Sequence, residues 1–161
     1  MRTKLFFMLA LPLVFAACSK SDKCGYTTTT AVASAAEISS LKTYLDANSL
    51  VYTQHASGVF YKVNVAGSGS TPGVCSDVTV KYVGSLTNGT TFENSNTNNP
   101  NGVSFTLGQL IAGWQIGIPL IRKGGSITLY IPPSLGYGSS SNGSIPANSN
   151  LIFTIELVNV Q

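Results

Sequence analysis

The 161-residue chain predicts an α+β domain in which a sheet of antiparallel strands wraps on one short helix. Three observations carry that expectation. About five or six segments alternate apolar and polar residues with the period of two that a half-buried strand requires. One apolar segment between them instead places Ile111, Trp114 and Ile118 at i, i+3 and i+7, one face of a helix, and it holds the single tryptophan of the chain. Glycine and proline mark most junctions, and Gly117 with Pro119 closes that helix within about two turns.

The N-terminus reads as an export segment. Arg2 and Lys4 precede an apolar run from Leu5 to Ala17 that ends in the small pair Ala16-Ala17, a pattern of basic region, apolar region and cleavage site too short to span a bilayer. Phe15-Ala16-Ala17-Cys18 resembles a bacterial lipobox, with Phe15 where leucine is more usual. That resemblance implies removal of residues 1–17, lipid on Cys18 and attachment to a membrane. Ser19, rather than aspartate, follows the cysteine and favours the outer membrane. A plain secretory peptide cut near Ala17 is the other reading. Both place the mature chain outside the cytoplasm, facing the periplasm or the surface.

Charge and cysteines bound what the rest does. The net charge of +3 falls close to neutral once Arg2 and Lys4 are gone, and only 9% of residues are charged. Nucleic-acid binding, which needs a basic patch, is therefore excluded. Cys24 and Cys75 form an even pair in an oxidising compartment, so they are a disulfide candidate. Such a bond would clip the N-terminal tail to the edge of the domain; two free thiols are the alternative. The spacing is not the C-x-x-C of a redox pair. No metal is expected, because His55 alone is left to complete a zinc site.

In order along the chain, residues 18–51 are expected to form a tether and a helix, and residues 52–161 the domain. Ser19 to Thr30 is polar. Ser34-Ala35-Ala36-Glu37 has capping-box spacing, Ile38, Leu41 and Leu45 with Tyr44 make an apolar stripe, and Asn48 ends it. The stripe docks on the domain or, in the second reading, pairs with another copy. His55 sits in a turn, without a nucleophile or acid nearby. Val59, Tyr61, Val63 and Val65 share one strand face. The Gly-rich segment 67–73 is a loop, and no helix start follows it to hold a phosphate. Val78, Val80 and Tyr82 share the next face, and Asn88-Gly89 marks a hairpin into the extended Thr91-Phe92-Glu93. A polar loop over 94–102 leads to a strand from Val103 to Leu107. After the helix, Arg122 to Gly125 is a turn. Ile127, Leu129 and Ile131 then point inward until Pro132-Pro133 stops the ladder. A second long loop covers 139–150. Leu151, Phe153, Ile155 and Leu157 share a face of the last strand.

Covalent chemistry has little to work with. The chain has one histidine and six acidic residues, and no G-x-S-x-G elbow, H-E-x-x-H pair or closely spaced carboxylates. What remains is a binding module, or an enzyme that forms no bond to its substrate.

Eight motifs then carry a specific resemblance: Val80-Lys81-Tyr82-Val83-Gly84, Gly89-Thr90-Thr91-Phe92-Glu93-Asn94-Ser95, Phe105-Thr106-Leu107-Gly108, Leu110-Ile111-Ala112-Gly113-Trp114, Ile131-Pro132-Pro133, Leu135-Gly136-Tyr137-Gly138, Ile145-Pro146 and Leu151-Ile152-Phe153. In this order the chain resembles the FKBP-type peptidyl-prolyl cis-trans isomerases, over roughly Tyr52 to Gln161. The resemblance implies an antiparallel half-barrel curled round the short helix, with an apolar pocket between them. Trp114 would be its floor, Tyr82, Phe92 and Phe153 its aromatic walls, with Phe105 close by. Leu110 and Ile111 would line the rim, Glu93 would contact a pocket tyrosine, and Ile145 would close the loop side. The Ile111 N–H and the Tyr137 hydroxyl would donate to a substrate carbonyl. The implied partners are proline-containing unfolded or exported polypeptides and FK506-like macrolides; no cofactor is implied.

Four features depart from the family pattern. Glu93 stands where aspartate is usual, and Val103 where an aromatic often is. Gly108-Gln109-Leu110 is shorter than in some members, and the 139–144 segment is small and polar. The readings in competition are an isomerase, an FKBP-fold chaperone or partner-binding module with little isomerase activity, and a structural lipoprotein whose pocket is filled by its own side chains.

Overall fold

The computed structural model describes residues 24–161. The export segment, the lipobox and Cys18 lie outside the described residues.

One sheet dominates. Its strands are β1 (Thr53–Gln54), β2 (Phe60–Val65), β3 (Asp77–Leu86), β4 (Thr91–Asn94), β5 (Val103–Thr106), β6 (Ser126–Ile131) and β7 (Leu151–Val160). They run in the order β1-β2-β6-β7-β3-β4, with β5 also on β3, and every pairing is antiparallel. The free edge of β3 is shared: β5 pairs with its first half, through Val78 opposite Phe105, and β4 with its second, through Gly84 opposite Glu93. Among the described residues seven strands stand where five or six were expected. The additional one, β1, is two residues long and too short to show a period.

Two helices flank the sheet. Helix α1 (Ala35–Ala47) begins at Ser34, whose side chain accepts from the Glu37 N–H while the Glu37 carboxylate accepts from the Ser34 N–H. Ala33 and Ile38, the residues before the cap and four into the helix, close together round Gly58 as a staple. Leu41 and Leu45 are fully buried against Phe60 and Tyr130 on one side of the sheet. Helix α2 (Ala112–Gly117) lies on the other side and passes into a 3-10 turn, Ile118–Leu120, at Pro119. It approaches closely because of two glycines: a Cβ on Gly113 would meet Ile131, and one on Gly117 would meet Leu129.

Three local findings refine the expectations. On β2 the face assigned to Val59, Tyr61, Val63 and Val65 is buried only at its start. Val63 and Val65 are exposed, beyond the reach of α1 and α2, and the register with β6 shifts between them. Phe60, on the opposite face, is fully buried because α1 covers it. The Asn88-Gly89 turn closes with a hydrogen bond from the Gly89 N–H to the Leu86 carbonyl, and Gly89 alone takes the left-handed conformation, at φ +87°. It is a type I turn with a bulge residue, and the register of β3 against β4 shifts beside it. Finally, the tail is laid on the domain from Cys24 onward. Cys24 is disulfide-bonded to Cys75, with Cα atoms 5.7 Å apart. The Tyr26 ring lies against Gly108, and its hydroxyl meets the Gln109 side chain.

Candidate active site

The concave side of the sheet is apolar because β3, β6 and β7 alternate in phase there. Val80, Tyr82, Ile127, Leu129, Phe153 and Ile155 all bury. Where α2 crosses, these side chains do not fill the space. A cleft of about 220 Å³ remains, lined by Tyr82, Glu93, Phe105, Leu110, Ile111, Trp114, Tyr137 and Phe153.

Trp114 is its floor. Three rings meet the indole edge-on: Tyr82 at 5.0 Å between centroids, Phe153 at 5.1 Å and Phe105 at 6.3 Å. Each such pair adds about 0.5–1.5 kcal/mol beyond area burial, and three together fix the plane of the floor. The indole N–H is buried and meets no acceptor among the described residues. Phe92 stands behind the wall and packs edge-on against Phe153 at 5.5 Å. Gly84 permits this, since a Cβ there would collide with both rings. Ile145 is buried in the same apolar cluster. Neither Phe92 nor Ile145 is among the residues that line the cleft; Phe92 supports Phe153, which is.

The rim is polar at a few points. Ile111 is the N-cap of α2, with extended backbone (φ −57°, ψ 148°) and no side-chain cap hydrogen bond. Its N–H, one of the orphan donors of a helix start, finds no acceptor among the described residues. The Tyr82 hydroxyl donates to Glu93 Oε1 at 2.5 Å. Burial, and then this bond, hold the Tyr82 phenol well above the ordinary tyrosine range. Burial first, and the Glu93 charge second, also raise Tyr137. At neutral pH both phenols keep their protons and remain donors. Glu93, a methylene longer than the usual aspartate, still reaches its tyrosine.

Two positioning residues escaped the reading of the sequence. Gln115 folds back to donate to the Leu110 carbonyl at 2.7 Å and the Gly108 carbonyl at 3.3 Å, pinning the turn that presents Leu110 and Ile111. The buried Ser95 hydroxyl accepts the Tyr82 N–H at 2.8 Å, where β4 has ended and can no longer pair β3. Gln115 follows the tryptophan directly, which was the available signal; Ser95 sits in a polar loop that offers none. Among the described residues no three metal-ligating side chains gather.

Comparison with known proteins decides the family. Residues 69–158 match the family model described as FKBP-type peptidyl-prolyl cis-trans isomerase. The chain belongs to that family. A probable FKBP-type peptidyl-prolyl cis-trans isomerase of Haemophilus influenzae is 45% identical over 105 residues, 65% of this chain and 43% of that protein. FkpA of Escherichia coli K12 is 42% identical over 106 residues, 66% of this chain and 39% of that protein. The chain thus spans less than half the length of these curated relatives. In three dimensions it resembles the crystal structure of Escherichia coli FkpA, with a TM-score of 0.71 at 37% identity, covering 79% of this chain and 60% of that one. A peptidyl-prolyl isomerase structure from Pseudomonas syringae gives a TM-score of 0.67 at 26% identity, over 83% of this chain and 99% of that one. The family-model match begins after α1, so this FKBP-type chain carries its N-terminal helix outside the matched segment.

Proposed function

We propose that this chain is a prolyl isomerase that accelerates rotation about X–Pro bonds of exported polypeptides, without forming a bond to them. The observation that carries this reading is the open cleft floored by Trp114, with an Ile111 N–H on its rim that has no acceptor among the described residues.

The chemistry needs little else. Rotation of an amide costs about 18–20 kcal/mol because resonance is lost, and X–Pro bonds turn over unaided in tens of seconds or more. The planar amide is more dipolar than the twisted one. A cleft walled by Tyr82, Phe105, Trp114 and Phe153 solvates the planar form poorly and so favours the twisted form. The proline ring would rest on the indole. The Ile111 N–H and the Tyr137 hydroxyl would hold the carbonyl oxygens in the rotated geometry, each aimed in advance by the fold. Phe92 and Ile145 would act by holding the wall and the loop. FK506-like macrolides, apolar and amide-bearing, would compete for the same cleft. A purely structural protein would fill this space with its own side chains; here it is open.

We further propose lipid on Cys18, the outer membrane as the site of attachment, and action outside the cytoplasm. The 1–17 pattern supports this, as does the Cys24–Cys75 bond, which belongs to an oxidising compartment.

The deciding experiment is an X–Pro isomerisation assay on a soluble form beginning at Ser19, beside Tyr137→Phe and Phe92→Ala, with and without macrolide. Acceleration that falls in both variants and is blocked by macrolide is the expected result. A folded protein without acceleration would overturn the enzyme reading in favour of a chaperone or partner-binding module.

A further inference from the structure

We infer that Glu37, on the N-terminal helix, is a positioning residue for the active-site loop that carries Tyr137 and Ile145; this rests on the isomerase reading of the cleft. The chain leaves β6 at Pro132 and makes a 3-10 turn at Pro133–Leu135, with Tyr137 two residues further on. That turn, like any helix start, leaves its first N–H groups without partners. Pro133 has none to offer, so the orphan falls on Ser134. The Glu37 carboxylate takes it: Oε1 accepts the Ser134 N–H at 2.9 Å and Oε2 accepts the Ser134 hydroxyl at 2.9 Å.

The same carboxylate already serves the start of α1, accepting the Ser34 N–H at 3.0 Å and the Ser34 hydroxyl at 2.9 Å. One side chain therefore serves the N-termini of two turns, its own and one carried by Ser134, 97 residues further along the chain. The staple at Ala33 and Ile38 fixes the cap from below, and the main-chain bond from the Ala33 N–H to the Ser57 carbonyl ties it to the segment before β2. Downstream, Gly138 donates to the Pro133 carbonyl and Asn148 to the Gly138 carbonyl. A register set at Ser134 is thus passed to both limbs of the loop. The carboxylate of Glu37 bonds Ser34 and Ser134, and neither these residues nor Glu37 line the cleft. Its effect on Tyr137 runs through this turn.

The test uses the folded chain from Ser19, with Glu37→Ala, Glu37→Gln and a control, Asp46→Asn, which removes the charge paired with Lys42 at the other end of the same helix. Amide exchange at Ser134, Gly136 and Gly138 and the Tyr137 ring resonances are recorded alongside kcat and KM. Glu37→Ala should lower kcat/KM by about three-fold, with Ser134 protection lost and the Tyr137 signals broadened. Glu37→Gln, which keeps one acceptor oxygen, should fall between. Asp46→Asn should leave kcat/KM and the Tyr137 signals unchanged. A folded Glu37→Ala protein with native Tyr137 signals and kcat/KM would overturn the inference, as would an equal loss in Asp46→Asn. Should the unsubstituted protein prove inactive, the isomerase reading fails separately, and the exchange and ring signals alone decide whether Glu37 sets the loop.

Discussion

On one side of the sheet, Leu41, Leu45, Phe60 and Tyr130 are buried together, and Tyr52, edge-on to Phe60 at 5.2 Å, has its hydroxyl bonded to Asp46. On the other side, equally apolar, Trp114 and three rings leave a cleft open, and two N–H donors there, on the indole and on Ile111, find no acceptor among the described residues. Both sets of side chains are apolar. The difference is that leucines on α1 adjust their rotamers to fill space, whereas four rings set edge to face hold one another apart. A burial site becomes a binding site when its side chains are too rigid to collapse into it.

The largest effects should separate the two sides by readout. Phe60→Ala should cost about 3–5 kcal/mol in urea unfolding, yet leave kcat/KM per folded molecule within about two-fold. Trp114→Ala should cost a similar stability and also lower kcat/KM by about ten-fold or more. Equal kinetic losses in both would erase the contrast. Removing the Cys24–Cys75 bond as the double serine variant should lower stability by about 4 kcal/mol for a sequence separation of 51 residues. Alkylation of the native protein without reductant, followed by mass spectrometry, should find both cysteines blocked.

Smaller effects sharpen the comparison at single groups. Tyr82→Phe deletes the bond to Glu93 and should cost about 1 kcal/mol of stability. It should also change the alkaline limb. The folded-state pKa of Tyr82 is raised above its unfolded value. Its stabilisation is therefore complete below the ordinary tyrosine pKa of about 10 and is lost as pH rises through the folded value. Denaturation melts above pH 10 should show this decline in the native protein and less of it in Tyr82→Phe. The acid limb belongs to α1. Desolvation pushes the Glu37 carboxyl up, but the hydrogen bonds from Ser34 and Ser134 more than offset it and hold the carboxyl below the usual range. Its contribution is present above the unfolded value and fades as pH falls through the folded one. Glu37→Gln should flatten that part of an acid titration of stability, the smallest effect of the series.

Family, sheet and pocket walls were legible because each is written in local order. Period-two runs place Val80 and Tyr82, Leu129 and Ile131, and Phe153 and Ile155 on one face whatever they later pack against. The capping box at Ser34 and the stop at Pro119 are equally local. What the sequence did not contain was the second face of β2: Phe60 reads as the outward member of its strand until α1 is laid over it. Nor did it contain the use of Ser95, Gln115 and Tyr26, polar residues in loops whose partners are fixed only by folding.

By itself, then, the sequence determined which residues could bury, where elements start and stop, and which family motifs are present, since these follow from side-chain chemistry and backbone period. The tertiary structure decided that Trp114 would be ringed on three sides rather than packed flat, and that a helix outside the matched family segment would hold the loop bearing Tyr137. It also decided that Glu37 would serve two turns at once. These depend on contacts between segments distant in sequence, whose geometry no local pattern encodes.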